Sequence, residues 1–117
     1  MNFRKLSLFV FITFFAGAVF AQSVDFVEPK NGTTVTATFK VKFAVEGMSV
    51  APAGEVTPGT GHHHLLIDTP DIEENVSIPM DDKHRHFGKG QTETEITLAP
   101  GKHKLTMQFA DGAHRSY

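Results

Sequence analysis

The chain carries seven histidines and no cysteine. Five of the seven fall in two short runs, Gly61-His62-His63-His64-Leu65-Leu66-Ile67-Asp68 and His84-Arg85-His86-Phe87-Gly88. On an extended strand residues i and i+2 point the same way. His62 and His64 therefore share a face, with Asp68 further along it, and His84 and His86 repeat the His-x-His spacing. Two such pairs brought together offer four imidazoles, a donor set that suits zinc, copper, iron or nickel. Without thiolate, a cysteine-type structural zinc site is excluded. Met48 and Met80 lie in the neighbouring loops, where thioether would bias a site toward Cu(I), although methionine more often simply packs.

The same histidines also fit a structural role. A neutral imidazole donates from one nitrogen and accepts at the other, and Asp68, Gln91, Thr92 and Glu93 are natural partners in such a network. His63 and His103 alternate with apolar residues of their strands and are expected in the core, as is Met107. His114 carries no assignment from spacing. Catalysis has less support. Histidine beside Asp68 or Glu93 is able to do acid–base work. Ser49 and Ser77, however, stand in loops without a nucleophile elbow, and His84-x-His86 is not the helical His-Glu-x-x-His of zinc proteases.

The elements that position these residues read as strands. Val35, Ala37, Phe39, Val41, Phe43 and Val45 alternate with Thr36, Thr38, Lys40, Lys42 and Ala44, which predicts a strand with one apolar face. Residues 24–29 form a shorter strand before an Asn31-Gly32 turn. Residues 47–61 hold Gly47, Pro52, Gly54, Pro58, Gly59 and Gly61 and read as a long loop. His62 to Asp68 resumes a strand, and residues 69–91 are again irregular. Residues 92–98 and 103–109 form two more strands. Ala99-Pro100-Gly101-Lys102 between them fits a type II turn, so residues 92–109 are expected to make a hairpin. With no helical apolar period after residue 21, the fold class is all-β, a small antiparallel immunoglobulin-like sandwich.

Residues 1–21 read as a secretory signal peptide. Arg4 and Lys5 precede an apolar run from Leu6 to Phe15, and small residues lead to a cleavage point after Ala21. The competing reading is a retained anchor, for which the run is barely long enough. Cleavage leaves 96 of the 117 residues, one domain by size, with no stretch suited to stable membrane insertion. It also takes Arg4 and Lys5 from the eleven basic residues, leaving nine against thirteen acidic ones. Such a balance, without a basic stripe, argues against nucleic acid. The expected location is periplasmic or secreted, and the partner is an unidentified protein or small ligand.

These motifs resemble DUF4399, a bacterial exported domain of unknown function. The resemblance runs from about Val24 to His114. It rests on Phe26-Val27-Glu28-Pro29-Lys30-Asn31-Gly32, Val41-Lys42-Phe43, Gly47-Met48, Pro52-Ala53-Gly54, both histidine runs with Gly90-Gln91-Thr92-Glu93, and Pro100-Gly101-Lys102-His103-Lys104-Leu105. It implies export but no established activity, substrate or metal. Family members usually continue into a further strand after the position matching His114, so the sandwich is expected to lack its last strand. The leading functional reading is a binding domain whose His62, His64, His84 and His86 hold copper or zinc, supported by Asp68, Gln91 and Glu93. The alternative is an interaction module in which the histidines form a hydrogen-bond network, and an enzyme is the least favoured class.

Overall fold

A computed structural model describes residues 22–117; the signal-peptide reading of residues 1–21 lies outside it. The described residues form strands β1 (Ser23–Glu28), β2 (Thr38–Glu46), β3 (Ser49–Val50), β4 (Thr60–Ile67), β5 (His84–His86), β6 (Glu93–Thr97) and β7 (Leu105–Ala110). No helix among them is long and apolar enough to cross a membrane. One sheet has the order β1-β2-β6. In the other, β7 lines one edge of β4 while β3 and β5 share the opposite edge at different heights.

The apolar alternation of β2 explains how the sheets meet. Phe39, Val41 and Phe43 face inward, and across them lie Leu65 and Ile67 of β4 and Met107 of β7. Ile96 of β6 and Phe87, just past β5, complete this core. Burying each such side chain contributes about 1.5–3 kcal/mol. The result is all-β with two sheets face to face, consistent with an immunoglobulin-like sandwich. It is not purely antiparallel, because β3 runs parallel to β4.

Three expectations are corrected. β2 begins at Thr38 rather than at Val35, which is 40% exposed. The β2–β6 register starts at Thr38 opposite Thr97, and a single further bond, Leu98 N–H to the Ala37 carbonyl at 2.9 Å, extends it. Residues 92–109 are not a hairpin: β6 pairs with β2 and β7 with β4, so the connection between them crosses from one sheet to the other. The expected core position of His103 fails with that hairpin. His103 precedes β7 on the surface, with Nδ1 2.6 Å from Asp68 Oδ2 and Nε2 2.7 Å from the Ala99 carbonyl oxygen. Lys104 N–H also donates to Asp68, at 2.7 Å, so one carboxylate ties the end of β4 to the crossover.

β4 is buried on both faces, unlike β2 with its single apolar face. Its second face is roofed by two segments that pair with each other. Asn75 N–H donates to the Ser116 carbonyl, Ser116 N–H to that of Val76, and Ile78 N–H to that of His114, at 2.7, 2.9 and 2.9 Å. Gln108 of β7 bonds Ser116 Oγ and the Ile72 backbone beneath this roof.

Candidate metal centre

Alternation along β4 divides its three consecutive histidines. His63 points into the core with Leu65 and Ile67, its ring 4.8 Å from that of Phe43 and 4.9 Å from that of Phe109. Both its ring nitrogens are buried without a hydrogen-bond partner, and burial lowers its pKa to about 4. His62 and His64 project from the other face, beneath the roof, and both are fully buried.

Register then selects the companions. His86 on β5 lies directly opposite His64, which places His84 opposite Leu66. Two residues of strand span about 6.6–6.8 Å, so His84 sits one such step beyond His64 and two beyond His62, on the side away from the cluster. Its Nδ1 instead lies 2.7 Å from Asp81 Oδ1. His84 is thus corrected out of the four-histidine group.

The remaining place is taken by His114, which spacing left unassigned. Ala110, the last residue of β7, pairs with His62, and the chain then turns back over that residue. Asp111 shapes the turn, its Oδ1 accepting the N–H groups of Ala113 and Arg115 at 2.8 and 3.0 Å. His114 N–H donates to the Asp111 carbonyl at 2.9 Å. His114 adopts φ 67°, a left-handed conformation uncommon for a residue with a side chain. Gly112 is required by close approach, since a Cβ there would run onto the Glu55 carbonyl. At the other side a Cβ on Gly88 would strike the His86 imidazole.

The four rings meet with centroids 4.7–6.0 Å apart, three of the six pairs edge to face and three tilted. His62 Nε2 lies 3.0 Å from His64 Nε2, and His86 Nε2 lies 3.0 Å from His114 Nε2. One ligand atom each from His62, His86 and His114 falls within 4.8 Å of the other two. Burial first, then the neighbouring imidazoles, lowers the pKa of His62 to about 4 and of His64 to about 3. Burial and His114 lower that of His86 as well. These rings are therefore neutral at pH 7, the form a metal needs. Asp111 is a carboxylate whose charge bears favourably on a cation here, acting on His62 against those lowering effects.

The residues expected to support the cluster stand elsewhere. Asp68 belongs to His103. Gln91 Oε1 accepts Lys89 N–H at 2.8 Å, and Glu93 lies 3.8 and 4.0 Å from the amines of Lys40 and Lys42 on the exposed face of the other sheet. Their expected place rests on sequence proximity, which the crossover between sheets defeats. Met80 is 61% exposed, and Met48 lines a surface cavity whose wall includes none of the four histidines.

Neither a curated protein nor a solved structure matches the chain. A family model does, over residues 41–117, a span that begins within β2 and takes in both histidine runs and His114. The chain therefore belongs to the family described as Domain of unknown function (DUF4399).

Proposed function

We propose that this protein is an exported binding domain for a transition metal, copper or zinc, held by His62, His64, His86 and His114. The observation that carries the reading is where the imidazoles point. His84 and His103, which serve structure, turn their nitrogens to carboxylates and a backbone carbonyl. The four clustered rings turn Nε2 atoms toward one another instead. Rings facing in pairs make at most one hydrogen bond per pair, whereas a single ion engages a lone pair from each.

The role that fits is binding and transfer rather than catalysis. Nδ1 of His62 and of His64 is buried with no partner, so the protein does not supply the outer acceptors that usually strengthen metal-bound histidine. Without them the imidazoles hold an ion less tightly than a fully supported histidine site would. The charged start, apolar run and small-residue exit of residues 1–21 support export, and the acidic balance of residues 22–117 speaks against nucleic acid as a partner.

A hydrogen-bond network is the second reading, because 3.0 Å between paired Nε2 atoms is also hydrogen-bond distance. Titrating copper and zinc into untagged, chelator-stripped protein separates the two. The metal reading expects one equivalent bound, and binding lost when His62 and His64 are both changed to Ala. No binding by the parent protein, with a large stability loss in the variant, would establish the network instead.

A further inference from the structure

The arrangement of the rings bears on which ion enters and on what else reaches it. The separations compare as three pairs of opposite edges. His62–His64 and His86–His114 are 4.8 and 4.7 Å. His62–His114 and His64–His86 are 5.0 and 5.1 Å. His62–His86 and His64–His114 are 5.0 and 6.0 Å. A square-planar set, the preference of Cu(II) and Ni(II), would make both members of one pair about 1.4 times the rest. Only His64–His114 is long, and its opposite is not. The ring centroids stand at the corners of a stretched tetrahedron, with His64 displaced from His114 and outside the three rings whose ligand atoms already gather within 4.8 Å.

The surroundings hold that shape. His62 and His64 are fixed on one strand at 0% exposure. His86 is set by its register with His64 and backed by Gly88. His114 is clamped by the Asp111 turn and by the Ile78 backbone. Neither the cavity along residues 25–39 and 98–105 nor the one beside Met48 is lined by any of the four rings.

We infer that the four imidazoles close around one ion as a complete tetrahedral shell, selecting d10 ions, Zn(II) or Cu(I), and leaving no coordination position for water or substrate. This rests on the metal-binding reading above. A catalytic zinc site keeps three protein ligands and an open fourth place; here His64 occupies the fourth corner. Copper held in such a shell is favoured in its reduced form.

Cobalt(II) is the probe. Apoprotein loaded with one equivalent is expected to show the intense visible absorption of four-coordinate cobalt. Zn(II) should displace it, and azide, which enters open positions, should leave the spectrum unchanged. In His64→Ala, cobalt affinity should fall by at least about tenfold, and azide should now shift the band. Copper bound to the parent protein should show a higher reduction potential than copper in imidazole buffer; release of zinc by Cu(I) under anaerobic conditions would mark Cu(I) as the preferred d10 ion, and its retention Zn(II). Weak six-coordinate absorption, an azide response in the parent protein, or an unshifted potential would overturn the closed shell while leaving metal binding intact. No uptake of cobalt, zinc or copper would overturn both.

Discussion

The two faces of β4 carry the same residue type at the same depth and use it differently. Inward, His63 stands among Phe43, Phe109 and the aliphatic core, its polar atoms unmatched. Outward, His62 and His64 are as fully buried, but what covers them is another pair of histidines. Burial alone therefore does not tell architecture from chemistry. What differs is the company each face keeps, and this is set by pairing between strands distant in sequence.

Acid should reveal both faces at once and gives the largest effect. His62, His63 and His64 have folded pKa values of about 4, 4 and 3, against 6.5 when unfolded. The unfolded chain thus binds more protons below pH 6.5. Metal-free stability should be full above that pH and fall as pH drops through 6.5 toward 4, at about 1.4 kcal/mol per unit of displaced pKa. Urea denaturation of metal-free protein across this range measures it. A flat profile would show that the rings are not desolvated.

Cutting the inner face without touching the outer one sharpens the contrast. Leu65→Ala should cost about 2–5 kcal/mol through the cavity it leaves, yet metal affinity measured in native buffer should stay within about threefold of the parent. A proportionate loss of affinity would mean that the faces are not independent. His63→Leu, close in volume, should stabilise by about 1 kcal/mol by removing unmatched polar atoms and should remove the inner face's part of the acid slope. Destabilisation would point to a partner for His63. The smallest effect belongs to His84→Ala. Its loss should change stability by about 1 kcal/mol, as for a part-buried ring whose partner Asp81 is exposed, and should leave metal titrations unaltered.

What was legible in the sequence obeyed period two. The alternation of β2 named Phe39, Val41 and Phe43 as core, and the same rule sent His63 inward and His62 and His64 outward. It also set His86 and His84 on a common face, but period alone does not say which of them meets His64. That depends on the β4–β5 register, which pairs His86 with His64 and sends His84 to Asp81. The assumption of a hairpin hid the rest. With β7 paired to β6, residues 111–115 had no reason to lie near β4. With β7 paired to β4, Ala110 falls opposite His62, and the Asp111 turn delivers His114. A short polar turn after a strand that ends beside a histidine run is the signal that was there to be read. The type II pattern at Ala99-Pro100-Gly101-Lys102 outweighed it, because a local turn motif does not reveal that its flanking strands belong to different sheets.

The position that tests the account most directly is His114, since it reaches the cluster only through the fold. Calorimetric zinc titration of the parent protein and His114→Ala, both stripped of metal, is the measurement. The account predicts one ion per chain in the parent and an affinity lower by about 100-fold or more in the variant, with the acid slope that His63 contributes preserved. Equal affinity in the two proteins would contradict it, because the ion would then be held without the histidine that only the fold brings to the cluster.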